Sequence, residues 1–184
     1  MLRFQQGDRE AFAELVRRNT NKIHALIYRF LGEPSLVDDL TQEVFLRVYR
    51  TAANYRPTAK FSTWLYRITA NLSFNVIRSR RKGQFRQIDS GDGDDGDGVY
   101  REVPDGRLEA PHEAMDAAEL RARIAWAVDA LPESQKAAII LNKFEEMSYE
   151  EISSILGCST MAVKSLLSRA RANLRRLLAP YLEP

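Results

Sequence analysis

Residues 148–179 read SYEEISSILGCSTMAVKSLLSRARANLRRLLA, and the local chemistry of this stretch decides the fold. Ser148 followed three residues later by Glu151 is a capping box: the Ser148 hydroxyl accepts from the Glu151 amide while the Glu151 carboxylate reaches back. Ile152, Ile155 and Leu156 give the resulting helix one apolar face. Gly157 supplies the positive φ that turns the chain after two turns. Cys158 and Ser159 fill the turn, and Thr160 is placed to cap a second helix. Val163, Leu166, Leu167, Ala170, Leu174, Leu177 and Leu178 continue the inward stripe of that helix. Short helix, glycine turn and longer helix define a helix-turn-helix from Ser148 to about Leu177.

The outward face of the second helix carries Met161, Lys164, Ser165, Ser168, Arg169 and Ala172, with Arg171 at its flank. No acidic residue lies between Glu151 and Ala179. Lys and Arg neutralise phosphates or bond guanine edges, and Ser is a short adaptable donor, so the face suits the major groove of duplex DNA. The competing reading is an amphipathic helical pair packed on a protein partner, its cations merely solvated.

The 184-residue chain is 45% hydrophobic, which excludes disorder throughout. Its net charge of +2 hides a strong asymmetry. Residues 89–116 hold ten acidic side chains against Arg101 and Arg107, leaving the remainder at +10. The run QIDSGDGDDGDG at residues 87–98 has little to bury and much charge to repel itself, so residues 85–114 are expected to be a flexible acidic linker. Tested as a calcium loop from Asp92, the run has Asp97 where glycine is needed and Val103 where the bidentate glutamate belongs. An acidic segment between two basic domains suggests a shield for DNA-binding faces, with an inert spacer as the alternative.

Before the linker, Phe12, Leu15, Val16, Ile23, Leu26, Ile27, Phe30 and Leu31 recur at helical spacing until Gly32 and Pro34, with a bend expected near Asn19 to Asn21. A second helix starts at Ser35 or Asp38 and turns Val37, Leu40, Val44, Phe45 and Val48 inward. A third, with Ser62 as cap, carries Trp64, Leu65, Ile68, Leu72, Val76 and Ile77. After the linker, Leu120, Ile124, Val128 and Leu131 mark a helix stopped by Pro132, and Ala137, Ile140, Leu141 and Phe144 mark another. Strand alternation is absent. The fold class is therefore all-α, with two small helical domains at residues 1–84 and 115–184 joined by the linker at 85–114.

Two further blocks, DLTQEVFLRVY at residues 39–49 and FSTWLYRITAN at residues 61–71, closely resemble conserved region two of the extracytoplasmic-function sigma factors. The resemblance continues from Gly7-Asp8 with Ala11-Phe12 through Leu131-Pro132 and Ser148–Ile152 to Val163-Lys164-Ser165. It implies a subunit that directs transcription initiation, whose region two binds the clamp of core RNA polymerase and the minus-ten element, and whose region four binds the minus-thirty-five element. By position, Asp39, Gln42, Glu43, Leu46 and Arg47 would meet the clamp. Tyr55, Arg56, Lys60 and Phe61 would lie in the loop that captures a flipped base of the melted non-template strand, with Asn71 and Asn75 as polar readers. Arg67, Arg78, Arg80, Arg81 and Lys82 would add phosphate-binding charge, which together with aromatics is how single strands are held. Trp64 is assigned to the core, and Phe61 fits core or loop equally. Lys164, Ser165, Ser168, Arg169 and Arg171 would contact the minus-thirty-five duplex. Leu166 stands where the family often has Arg, Ser168 where a larger side chain is common, and Met161 near a usual Gly. With the resemblance beginning near Gly7-Asp8, it implies a truncated form of the family's leader helix. An anti-sigma factor is the implied regulatory partner.

The sequence offers no Ser/His/Asp set, phosphate loop or metal-ligand cluster, so neither catalysis nor a cofactor is expected. With one cysteine, Cys158, no internal disulfide forms; a small thiol packed in the turn is favoured over a redox switch. No signal peptide or membrane-crossing run is present in the sequence, and a cytoplasmic location is expected. A stand-alone regulator with a similar C-terminal motif would need a receiver or ligand domain with strands, which residues 1–84 do not suggest. A protein-only helical adaptor would show no salt-dependent DNA binding.

Overall fold

The computed structural model describes residues 1–88 and 117–181, with backbone alone at 81–88 and 117; the expected acidic linker and calcium-loop test fall largely outside the described residues. The elements are α1 (Leu2–Gln5), α2 (Arg9–Leu31), α3 (Val37–Arg50), α4 (Phe61–Ile88), α5 (Ala117–Asp129), α6 (Glu133–Lys143), α7 (Tyr149–Leu156) and α8 (Thr160–Leu178). Short 3-10 turns at Pro34–Leu36, Ala52–Asn54 and Ala179–Tyr181 complete them. No strand occurs among the described residues. The all-α expectation holds, and a strand-bearing receiver domain is absent from residues 1–88.

In the first lobe, Asp8 caps α2 by accepting from the Ala11 amide at 3.0 Å, and Gly32 ends it at φ 67°. The helix runs unbroken through Asn19 to Asn21, where Asn19 and Thr20 donate to the carbonyls of Leu15 and Val16 one turn back. The α3 helix starts at Val37 after the Pro34 turn, and neither suggested cap is used. Ser35 instead bonds the Glu33 carboxylate, and Asp38 sits in the first turn beside His24. Ser62 likewise lies inside α4, whose first helical acceptor is the Lys60 carbonyl. Ile23, Leu26, Ile27 and Phe30 of α2 pack with Val37, Val44 and Val48 of α3 and Leu65 of α4, all essentially without exposure. The α4 helix continues to Ile88, so the start of the 85–114 stretch is helical.

In the second lobe, Ala137, Ile140 and Leu141 of α6, Ile152 and Ile155 of α7, and Val163, Leu167 and Ala170 of α8 form the buried centre. Val128 and Leu131 join them from the end of α5. Two expected inward positions are exposed. Ile124 shares the side of α5 that buries Ala127 and Val128 but lies one turn nearer the start of the helix, where the core no longer covers it and it is 38% exposed. Phe144 follows the last residue of α6 as its C-cap and turns toward the first lobe, where Arg29 lies 5.1 Å from its ring centre.

The lobes touch. Buried Tyr66 and Ala70 of α4 belong to the same continuous cluster as Leu131 and Met147 of the second lobe. Gly32 approaches Asp129 so closely that a Cβ there would stand 3.2 Å from a carboxylate oxygen.

Candidate nucleic-acid and polymerase interface

The helix-turn-helix assembles from the predicted local bonds. Ser148 Oγ accepts from the Glu151 amide at 3.2 Å, Glu151 Oε2 accepts from the Ser148 amide at 3.0 Å, and Gly157 closes α7 at φ 66°. The second cap is Ser159, which accepts from the Ala162 amide at 3.1 Å; Thr160 is the first helical residue instead. One position earlier satisfies the orphan amide of the first turn with the same chemistry. With Val163, Leu167 and Ala170 buried, Lys164, Ser165, Ser168, Arg169 and Arg171 are all left exposed. Leu166 is half-buried against the core, so its departure from the family pattern serves packing. Met161 is 71% exposed at the start of this face. Cys158 is half-buried in the turn and packs against the core.

On α3, burial of Val37, Thr41, Val44, Phe45 and Val48 leaves Asp39, Gln42, Leu46 and Arg47 exposed on the opposite side. Glu43 is half-buried and lies 3.9 Å from Arg50. Leu46 and Tyr49 are both about half exposed, giving this polar face an apolar centre.

The α3–α4 connection is held by a residue that sequence reasoning did not single out. Gln5 of α1 donates to the carbonyls of Ala52 at 2.7 Å and Tyr55 at 3.0 Å, fixing the 3-10 turn below the loop. A lone glutamine near a terminus carries no sequence signal for such a role. Phe4, Phe12 and Tyr49 seat α1 through ring contacts of 4.8 to 5.3 Å. Tyr55 is only 6% exposed, its ring edge-on to Phe61 and Trp64. It therefore supports the loop from below, while Phe61 is half-buried between core and surface. Trp64 packs against the core, as assigned. Arg56 is exposed and donates to the carbonyls of Ala53 and Tyr55.

Along α4, Arg67, Asn71, Asn75 and Arg78 are exposed on one side, with Lys60 just before the helix. The two end cations are already paired: Lys60 Nζ lies 3.0 Å from Glu151, and Arg78 3.3 Å from Glu133. Glu151 has its carboxyl held below the ordinary glutamate range, chiefly by the Ser148 amide and then by Lys60. The structure thus brings the loop, the α4 face and the second lobe together, and leaves the α3 and α8 faces open to solvent. No group of His, Cys, Asp or Glu fit to hold a metal occurs among the described residues.

An all-α pair of lobes, one ending in a helix-turn-helix and the other presenting a cationic, aromatic-edged helix, defines a transcription protein of the two-lobed promoter-binding class. Residues 15–83 match the model of Sigma-70 region 2, and residues 121–174 match that of Sigma-70, region 4. The chain is 34% identical over 183 residues to the RNA polymerase sigma-H factor of Pseudomonas aeruginosa, covering 98% of this chain and 92% of that one. It is 35% identical over 175 residues to the ECF RNA polymerase sigma factor SigW of Bacillus subtilis, covering 95% and 92%. Its fold is similar to that of the sigma factor RpoE in complex with the anti-sigma factor NepR from Bartonella quintana, with a TM-score of 0.67 and 22% identity over 92% of this chain and 98% of that one. CnrH in complex with the cytosolic domain of CnrY is comparable, with a TM-score of 0.66 and 24% identity over 95% and 92%. The chain belongs to the extracytoplasmic-function sigma factors, the initiation subunits that bind core RNA polymerase, recognise promoter DNA and direct transcription initiation.

Proposed function

We propose that this sigma factor divides its work among three faces. The α3 face, with Asp39, Gln42, Glu43, Leu46 and Arg47, docks on the polymerase clamp. The loop from Tyr55 to Phe61 and the α4 face, with Arg67, Asn71, Asn75 and Arg78, take the melted non-template strand of the minus-ten element. The α8 face, with Lys164, Ser165, Ser168, Arg169 and Arg171, grips the minus-thirty-five duplex. Residues 1–84 and 115–184 are the corresponding units, with 85–114 as their connection.

The observation that carries this reading is the exposure of Lys164, Ser165, Ser168, Arg169 and Arg171 on a helix capped by Ser159, whose other side buries Val163, Leu167 and Ala170. Among the described residues no ion pair occupies Lys164 or Arg169, so their charge is available to phosphates or base edges. Bond making in RNA belongs to the polymerase, and this chain supplies binding. The site of action is the cytoplasm; no described helix is long and apolar enough to cross a membrane. A regulatory partner of the anti-sigma class is expected for this chain, since the similarly folded RpoE of Bartonella quintana forms a complex with the anti-sigma factor NepR.

Run-off transcription with core polymerase on a promoter library, with and without the protein, tests the proposal. Stimulation of a subset of promoters is expected. Absence of stimulation at every promoter by the folded protein overturns it.

A further inference from the structure

Three glutamates of the second lobe meet the first lobe. Glu133 at the start of α6 pairs with Arg78, and Glu151 at the start of α7 pairs with Lys60. Between them in the chain, Glu145 is the most enclosed, with its side chain 11% exposed. Its Oε1 lies 2.9 Å from Arg29 Nη1, and its Oε2 accepts from the Tyr66 hydroxyl at 2.8 Å. Burial raises the Tyr66 phenol above its ordinary range, with the Glu145 carboxylate adding to the shift, so the hydroxyl keeps the proton it donates. Arg29 also stacks on Phe144. The next residue, Glu146, has φ 53°, in the left-handed region that few non-glycine residues occupy, and it turns the chain just after Glu145. The loop after α6 is thus a shaped plug seated between α2 and α4.

Lys60 and Arg78 lie at the two ends of the face proposed for the melted strand, with Arg67, Asn71 and Asn75 between them. Carboxylates of the second lobe stand where DNA phosphates would pair with these cations. We infer that Glu145 is the latch of a closed form in which the second lobe acts as an internal phosphate mimic, competing with the minus-ten strand for the α4 face. Opening requires release of the Glu145 bonds to Arg29 and Tyr66, after which Lys60 and Arg78 exchange glutamate for phosphate. The inference rests on the minus-ten assignment above. It differs from the acidic-linker shield, whose residues lie outside those described.

The test uses the full chain with Cys158→Ser, carrying a donor–acceptor dye pair at Ala13→Cys and Ser154→Cys, one label in each lobe. Glu145→Gln removes the charge pairing while keeping shape, and Arg29→Gln attacks the same contact from the other side. Each is expected to lengthen the distance between lobes and to tighten binding of a fluorescent minus-ten non-template oligonucleotide by the free protein by about tenfold, the scale of a lost charge-assisted hydrogen bond. The exchange Arg29→Glu with Glu145→Arg is expected to restore closure. An unchanged distance in both folded single variants overturns the latch. A longer distance with no tighter binding overturns the competition. Binding of the same oligonucleotide in the presence of core polymerase separates the causes: if it too is absent, the minus-ten assignment has failed, and if it is present, the mimicry alone has failed.

Discussion

Ser148 and Glu151 close on each other through reciprocal bonds of 3.2 and 3.0 Å, and the second oxygen of Glu151 holds Lys60 of the other lobe at 3.0 Å. One residue therefore starts the helix-turn-helix and ties it to α4. Ser148→Ala is expected to lower stability by about 1 kcal/mol, the typical cost of a lost N-cap. Urea denaturation followed by circular dichroism checks this, and an unchanged midpoint would show that the cap is not limiting.

The same carboxylate sets a pH dependence. Its folded pKa lies below the ordinary value of 4.5, first through the Ser148 amide and then through Lys60. The stabilisation is complete above the unfolded pKa and is lost as pH falls through the lower folded value. Glu151→Gln should accordingly flatten part of the decline in stability below about pH 4.5. Denaturation midpoints of both proteins across acid pH measure the difference, and parallel curves would contradict it.

On α8, Lys164→Ala and Arg169→Ala are expected to weaken binding to minus-thirty-five duplex in the polymerase-bound state. For a phosphate contact, the slope of log affinity against log salt falls by about 1 and the loss is uniform across sequences; a base contact instead relaxes preference at one position by about 1–3 kcal/mol. Salt titrations on matched and mismatched duplexes distinguish the two roles. Both side chains are exposed, so melting temperature should not move.

Leu46 is 47% exposed at the centre of the α3 face. Leu46→Asp is expected to reduce affinity for core polymerase at least about tenfold, as charge placed in an apolar contact does, with stability changing by less than about 0.5 kcal/mol. Competition for core polymerase against the unaltered protein provides the measurement. Retained affinity would remove α3 from the docking surface.

Gln5→Ala removes both bonds that fix the turn below Tyr55. It is expected to cost about 1–2 kcal/mol if the two carbonyls are left unsatisfied. Promoter opening by the holoenzyme should decline while binding of minus-thirty-five duplex is preserved. Equal loss of both activities would mean that the whole fold, and not the loop, depends on Gln5.

The features legible in sequence are those written in a few adjacent residues. Ser148, Glu151 and Gly157 specify a cap and a stop by their own bonds, and the stripe through Val163, Leu167 and Ala170 then decides which cations of α8 face water. Where two neighbours offer the same hydroxyl chemistry, as Ser159 and Thr160 do, sequence alone does not choose between them. Ile124 lies on the same side of α5 as the buried Ala127 and Val128, and helical spacing gives that side but not how far along it the core extends. Arg29, Tyr66 and Glu145 were missed for a different reason. Glu145 is separated by 116 residues from Arg29 and by 79 from Tyr66, and neither pairing leaves a periodic trace. Tyr55 falls in the expected loop by resemblance, but the enclosure of its ring by Phe61 and Trp64 is a packing contact that the order of residues does not reveal.

Because Glu133, Glu145 and Glu151 belong to the same chain as the cations they hold, dilution does not separate them. A tethered partner acts at an effective concentration on the order of millimolar. Making more of this sigma factor therefore leaves the fraction of open molecules unchanged, and only a binder that prefers the open form shifts it. Core polymerase fills that role, so closure weakens the apparent affinity of the free chain for polymerase by one constant factor, the same at every copy number of the sigma factor.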